Sequence, residues 1–274
     1  MSRRDKPEIF LDLWKAYPGR LNICLILTSD WYITHRYSSK IMNKTAIISG
    51  GSQGIGKALV KKFLSEGFTV FTCSRNGDKL KALSAEFNTN ALHTFVADLS
   101  VKSQCQDFAT WVLGQTKSID VLINNAGFFM PGQIQNEEDG VLESQIEANL
   151  YSAYHLTRAF LPTFQAQKSG HIFTICSTAS ITAYTAGGSY CISKFALLGF
   201  TKVLREETKT QGIKVTAILP GATLTPAWDG VELPETRFIP ADDVASTIFS
   251  AYSMNPSTVL EEILIRPQLG DIEL

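Results

Sequence analysis

The chain is poor in the residues that staple or metallate a fold: 274 residues hold five cysteines and four histidines. Cys24, Cys73, Cys105, Cys176 and Cys191 are odd in number and form no C-x-x-C. That excludes a disulfide framework and reads as the reduced thiols of a cytoplasmic protein. His35, His93, His155 and His171 stand apart, and no His/Cys cluster has zinc-ligand spacing, so no metal site is expected. An excess of one charge is also missing: the net charge of −1 gives no electrostatic reason to bind nucleic acid or an anionic membrane. No apolar run approaches the roughly 18–20 residues of a membrane helix, so no membrane span is expected. No glycine turn continues into Gly-Lys-Ser/Thr, which removes a nucleoside-triphosphatase loop. Internal repeats and low-complexity tracts are absent, and no arginine cluster marks a substrate phosphate or several carboxylates.

What is present is an ordinary globular composition, 45% hydrophobic and 19% charged. Residues 1–41 differ from the rest, with seven Lys/Arg against four Asp/Glu, two tryptophans and the apolar patch "LNICLILT" (21–28). Arg3 and Arg4 ahead of that patch allow a signal-peptide reading. Pro18-Gly19 and the lack of a small-x-small cleavage site speak against it. The favoured reading is an N-terminal extension of uncertain order, with Met42 as a natural start just before a first strand.

From Lys44 the chain alternates strand-like and helix-like stretches. Strands are expected at 44–49, 68–73, 92–97, 119–124, 171–177, 213–219 and 261–266. Helices are expected at 54–67, near 77–87, 101–116 and 241–254, at about 138–167 with Pro162 perturbing its last turn, and at 188–210. Apolar strands separated by helices imply βαβ crossovers and a parallel sheet covered on both faces. Residues 42–274 therefore read as a single α/β domain, for which the motifs below point to dinucleotide binding and catalysis.

The first strand runs into "SGGSQGIGKALV", with glycines at 50, 51, 54 and 56. Glycine permits positive φ and close backbone approach, and a helix starting near Gly54 would aim free N–H groups at a pyrophosphate. At the end of the second strand a carboxylate would bind both ribose hydroxyls and favour NAD. This chain has Ser74 and Arg75 there, and a forked cation suits a 2′-phosphate. NADP(H) is favoured, with NAD(H) still open.

These residues and those that follow resemble the short-chain dehydrogenase/reductases, in their compact single-domain branch, over essentially all of 42–274. The turn "SGGSQGIG" matches the family's TGxxxGxG, with Ser49 for the usual Thr. "DLS" (98–100) closes the third strand and "NNAG" (124–127) follows the fourth. Asn149 lies in the long helix, and Ser177 ends the fifth strand thirteen residues before Tyr190. Lys194 follows four later, and "PGATLT" (220–225) fits the turn after the sixth strand. Lys57 stands where the extended branch of the family would need its third glycine. The resemblance implies a Rossmann-type doubly wound, mostly parallel seven-stranded sheet of order 3-2-1-4-5-6-7 with helices on both faces. It implies cofactor contacts from Gly50, Ser52, Gly54, Ile55 and Gly56, from Ser74 and Arg75, and from Asp98 (at adenine) and Leu99. Further contacts would come from Asn125, Ala126, Gly127, Tyr190, Lys194, Pro220, Gly221, Thr223 and Thr225. It implies Asn149, Ser177, Tyr190 and Lys194 as the catalytic set, with Asn149 supporting a proton-passing water. A homodimer or homotetramer is implied too, with the long helices and "RPQLGDIEL" (266–274) available for contact.

The chemistry fits the residue types. Reducing a ketone needs hydride at carbon and a proton at oxygen. A tyrosine with pKa ≈ 10 can donate, and bringing it to about 7 needs roughly 4 kcal/mol in favour of the phenolate. An ammonium one helical turn away shares a face with Tyr190 and supplies such a field. Ser177 would hold the substrate oxygen, Ser189 would cap the helix, and Cys191 is a bystander. "GFFMPG" (127–132), Thr182, Tyr184 and Trp228 are expected near the substrate, which suits an apolar carbonyl such as a 3-oxoacyl compound. The expected activity is NADP(H)-dependent interconversion of a ketone or aldehyde and an alcohol. The alternatives are an NAD-dependent alcohol dehydrogenase and a non-catalytic NADP(H)-binding redox sensor, the latter opposed by the intact Ser177–Tyr190–Lys194 set.

Overall fold

The computed structural model describes residues 44–272; the readings of residues 1–41 and of Met42 lie outside the described residues. Strand and helix alternate as β1 (Thr45–Ser49), α1 (Gly54–Ser65), β2 (Thr69–Ser74), α2 (Gly77–Phe87), β3 (Leu92–Val96), α3 (Lys102–Leu113) and β4 (Val121–Asn124). After β4 come α4 (Val141–Ile146), a π-helical turn (Glu147–Tyr151) and α5 (Ser152–Gln167). They are followed by β5 (Gly170–Ile175), α6 (Gly188–Thr208), β6 (Ile213–Pro220), α7 (Ala241–Tyr252) and β7 (Glu262–Ile265).

The seven strands form one sheet of order β3-β2-β1-β4-β5-β6-β7, with every pairing parallel. The expected order is borne out. Period-two alternation explains how one short strand serves two cores. Ile48 faces Phe63, Val70, Val244 and Ile248 under α1 and α7, whereas Ile47 faces Phe71, Phe108, Leu156 and Phe160 under α3 and α5. The chain reverses its direction of winding between β1 and β4, so a crevice opens there outside the carboxyl ends of the strands. β7 is a half-exposed edge, blunted by ion pairs from α6 at Arg205–Glu261 and Lys202–Glu262.

Two helix expectations change. The stretch expected to be one helix over 138–167 begins at Val141 and is interrupted by the π-helical turn. Pro162 does not end or break it: α5 continues to Gln167. Pro162 is exposed, so the carbonyl it leaves without a donor can turn to water.

Candidate active site

The turn after β1 is built by close approach. Gly50 (φ +71°) and Gly54 (φ +53°) take backbone conformations that L side chains avoid. A Cβ on Gly56 would lie 2.1 Å from the Gly50 carbonyl oxygen. Ser49 bolts this turn to the one after β4: its Oγ accepts from the Asn125 and Ala126 N–H groups at 2.9 Å each. Asn125 replies, its Nδ2 donating to the carbonyls of Ser49 (2.8 Å) and Gly50 (3.2 Å). α1 then starts with no side-chain cap and no acidic residue in its first turn. Its free N–H groups can therefore receive a pyrophosphate.

At the end of β2, Ser52 Oγ donates to Ser74 Oγ (2.8 Å), joining the glycine turn to the Ser74-Arg75 loop. Arg75 is exposed and makes no hydrogen bond or ion pair among the described residues. Asn76 caps α2 by accepting from Lys79 N–H at 2.9 Å, and the Lys79 ammonium bonds the Gln53 side chain. Lys79 and Gln53 were not anticipated. They line a cavity of about 370 Å³ with Ser52, Gly54 and Lys57. The available signal was a lysine four residues after Arg75. Asp98 Oδ1 accepts from the Ser100 N–H and hydroxyl, fixing the β3 turn, and the Leu99 side chain is buried in the core. Ile55 packs against the core, and Thr225 packs on Gly54, where a Cβ would sit 3.1 Å from its methyl. Thr223 Oγ1 donates to the Gly221 carbonyl at 3.0 Å, and Gly221 N–H donates to Ile265 O, so the segment after Pro220 is tied to β7.

Ser177 and Lys194 meet the end of β5, Tyr190 lies one turn before Lys194, and Asn149 reaches the same helix through Ser193. Ser177 Oγ accepts from Ala179 N–H (3.1 Å) in a short capped turn, which leaves its proton free to donate. Tyr190 lies in the first turn of α6, with the Phe129 ring edge-on at 4.8 Å. The surrounding protein desolvates its hydroxyl and pushes the phenol up to about 12, against the lowering effect of a hydrogen bond with Ser177. Lys194 is buried; Nζ donates to Ile175 O at 2.9 Å and stands 5.7 Å from the Tyr190 ring centroid. Burial pulls its ammonium down to about 8. The expected lowering of the tyrosine by the lysine does not emerge: burial raises the phenol, and the one lowering influence on it is Ser177.

Asn149 sits in the π-helical turn, fully buried. Its Oδ1 accepts from Phe128 N–H (2.9 Å), and its Nδ2 donates to Phe128 O (3.1 Å) and Ser193 Oγ (2.9 Å). Ser193 Oγ in turn donates to Tyr190 O at 2.8 Å. The amide is thus committed to the loop after β4 and, through Ser193, to the Tyr190 carbonyl in α6.

Ser189 does not cap α6. The residue preceding the helix is Gly187, and the Ser189 N–H and hydroxyl both donate to the carboxylate of Glu137. The helix begins two residues too early for Ser189 to cap it. Of the expected substrate neighbours, Phe129 reaches Tyr190, whereas Trp228 packs edge-on against Phe238. The Tyr184 hydroxyl donates to Thr178 Oγ1 (2.8 Å), next to Ser177. A mostly apolar cavity of about 680 Å³ beside the start of α6 is lined by Ile134, Tyr184, Cys191, Ile192 and Phe195. Among the described residues no group of three or more His, Cys, Asp or Glu could hold a metal ion, and no helix is long and apolar enough to cross a membrane.

A strand–glycine turn–helix, a Ser at the end of β5 and a Tyr-x-x-x-Lys at the start of α6 define a dinucleotide-dependent oxidoreductase. Residues 44–235 match the family model described as short chain dehydrogenase. The chain is 30% identical over 243 residues to a sepiapterin reductase of Chlorobaculum tepidum, covering 85% of this chain and 99% of that protein. It is 29% identical over 229 residues to an uncharacterized oxidoreductase of Staphylococcus epidermidis, covering 84% and 99%. A metagenomic short-chain oxidoreductase solved in complex with NADP superimposes with a TM-score of 0.73 at 29% identity, covering 84% of this chain and 99% of that one. The chain belongs to the short-chain dehydrogenase/reductase family of oxidoreductases.

Proposed function

We propose that the protein reduces an apolar ketone or aldehyde to an alcohol with NADP(H), Tyr190 giving the proton. One observation carries this reading: Ser177 stands at the end of β5 with its hydroxyl proton free, and Tyr190 and Lys194 stand one turn apart at the start of α6, with Lys194 Nζ anchored on Ile175 O and 5.7 Å from the Tyr190 ring centroid. Bound nicotinamide dinucleotide supplies the hydride. Gly50, Gly54, Gly56 and the free start of α1 hold its pyrophosphate, and the Asn125-Ala126-Gly127 turn is held beside them by Ser49. Ser74, Arg75 and Lys79 receive a 2′-phosphate, and the NADP bound by the metagenomic relative supports that choice. Asp98 and Leu99 lie toward adenine, and Pro220, Gly221, Thr223 and Thr225 close over the nicotinamide half.

The Ser177 hydroxyl donates to the substrate carbonyl and orients it. As negative charge grows on that oxygen, the Tyr190 O–H transfers its proton. The Lys194 ammonium, protonated at pH 7, stabilises the phenolate left behind. Asn149 positions Phe128 and the Tyr190 turn. Phe129, partly exposed beside Tyr190, and the exposed Met130 that follows it favour an apolar substrate such as a 3-oxoacyl compound.

Residues 42–274 are proposed as the catalytic domain. Exposed Tyr151, Tyr154, Phe195 and Val203 on the π-helical turn, α5 and α6 favour a homodimer or homotetramer, which light scattering tests. The buried free thiols of Cys73, Cys105, Cys176 and Cys191 suit a reducing, cytoplasmic setting.

The test is a panel of ketones and aldehydes assayed with NADPH, alongside Tyr190→Phe. Turnover that falls about 10²–10⁴-fold in the variant, with NADPH still bound, supports the reading. Tight NADPH binding with no turnover of any member, or full turnover by Tyr190→Phe, refutes it.

A further inference from the structure

We propose that Glu137 is a positioning residue for Tyr190: a carboxylate clasp that fixes the first turn of α6 and closes the loop after β4 against it. This inference rests on the reading of Tyr190 as the proton donor. α6 carries both Tyr190 and Lys194, yet it has no side-chain cap of its own and no acidic residue in its first turn. The first N–H groups of a helix need partners, and a carboxylate there is favoured by the dipole as well. Glu137, 52 residues upstream, fills that place. Its Oε1 accepts from Ser189 N–H at 2.8 Å and its Oε2 from the Ser189 hydroxyl.

The backbone is shaped around this contact. A Cβ on Gly188 (φ +21°) would fall 2.0 Å from Glu137 Oε1, and one on Gly132 would fall 2.8 Å from Glu137 Cγ. Gly132 also pairs with Gly187 in a parallel bridge, its N–H donating to Ala186 O at 2.9 Å. The loop is therefore stitched along its length. Asn149 holds Phe128, Gln145 holds Met130 (Nε2 to O, 3.1 Å), Ala186 holds Gly132 and Ser189 holds Glu137. Phe129, between the first two stitches, rests on the Tyr190 ring. Glu137 is the last stitch and the only charged one in this series. It lies one residue from Tyr190 in the contact it makes, and touches neither Tyr190 nor Lys194 by hydrogen bond. Its effect on proton transfer therefore passes through the placement of the turn.

The experiment compares Glu137→Ala, Glu137→Gln and wild type in the full chain. Amide hydrogen exchange is read on peptides covering 128–137 and 186–195. Turnover is read with NADPH and the fastest carbonyl of the panel. Glu137→Ala is expected to exchange at least about tenfold faster in those two peptides and at the wild-type rate in β1, β4 and β5. Its kcat is expected to fall about tenfold, with KM for the carbonyl and Kd for NADPH within twofold. Glu137→Gln, which keeps an acceptor for Ser189 N–H, should recover most of kcat. Unchanged exchange in both peptides overturns the clasp whether or not Tyr190 is the acid. Faster exchange with unchanged kcat, no recovery by Glu137→Gln, or loss confined to KM overturns the positioning role. Turnover by Tyr190→Phe, or none on any panel member, instead sinks the functional reading and leaves the exchange result to judge the clasp.

Discussion

Replacing Lys194 with Met should stabilise the nucleotide-free protein at neutral pH while abolishing turnover. The buried ammonium falls from 10.5 to about 8, and desolvation is the first cause. That fall is worth about 3 kcal/mol against the folded state wherever the lysine is charged in both states. The sign follows from proton counts. Between pH 8 and 10.5 the unfolded chain holds a proton on this lysine that the folded chain has released, so wild-type stability rises with pH across that window. Methionine of similar length removes the penalty. It also removes the 2.9 Å bond from Nζ to Ile175 O, and a carbonyl stripped of a donor costs about 1–3 kcal/mol. The net expectation at pH 7 is a gain of roughly 1 kcal/mol, or about 2–4 °C in Tm for a domain of this size. Urea unfolding at pH 7 and pH 10 measures it. The wild type should make up about 2–3 kcal/mol on Lys194→Met between the two. Titrations elsewhere are common to both proteins and cancel. A difference that stays constant from pH 7 to 10, or a variant more than about 2 kcal/mol less stable at pH 7, would refute a charged lysine held against desolvation.

The cofactor turn gives a steric test. Gly56→Ala puts a methyl 2.1 Å from the Gly50 carbonyl, and overpacking of that kind costs typically ~1–3 kcal/mol. NADPH fluorescence titration should show affinity at least about tenfold weaker, and a change within twofold would mean the turn does not hold the pyrophosphate. Arg75→Ala should weaken NADPH by about 10–100-fold and NADH by less than twofold, the range of a lost charge-assisted hydrogen bond. Equal loss for both nucleotides would remove the phosphate clamp. His171 is buried on β5 beside Thr216, and burial lowers its pKa from 6.5 to about 3. The unfolded chain protonates this group first on acidification, so stability present above pH 6.5 is lost below it, by about 2 kcal/mol at pH 5. His171→Phe should lack that loss in urea unfolding compared at pH 7.5 and 5, and an identical loss would exonerate the histidine.

The strands and the glycine turn were legible as local signals, whereas the strand order and the roles of Ser177, Tyr190 and Lys194 came with the family resemblance. Strands show as short apolar runs, and the site residues follow them at their carboxyl ends. Boundaries were less legible where a side chain competes with the ladder. β4 was expected from Ile119 but starts at Val121, since Ile119 N–H is taken by Gln167 Oε1 at 2.8 Å. The π-helical turn left no trace in the pattern, because shifting one register of hydrogen bonds hardly disturbs an apolar stripe. Yet that turn carries the Asn149 amide that meets Phe128 and Ser193 together. Ser49 could be read only as a stand-in for threonine; its task, bolting two turns 76 residues apart, needs the fold. Glu137 was illegible for the same reason. An acid in "QNEED" (135–139) looks like any solvated loop charge until the chain brings it to Ser189.

The protonation states of the pair follow from burial, which spacing cannot report, and they bear on direction. Four residues of separation puts Lys194 on the same face as Tyr190, but the ammonium is spent first on Ile175 O. The phenol, pushed up to about 12, keeps its proton across the whole physiological range. Burial therefore keeps the proton in place but makes the phenol a weaker acid, and donation needs positive charge beside it to stabilise the phenolate left behind. The nearby Cys191, Cys176 and Tyr184 all push it further the same way, and only the Ser177 hydrogen bond pulls back. The chain's own groups therefore set the phenol in its protonated form, and Lys194 is the cation nearest at hand to ease its ionisation. Alcohol oxidation would need additional positive charge beside the phenol, and its rate should climb with pH well above neutrality, whereas carbonyl reduction should stay level up to about pH 8, where Lys194 begins to lose its proton. A reduction rate that rose steadily with pH from 6 to 8 would contradict a neutral Tyr190 as donor.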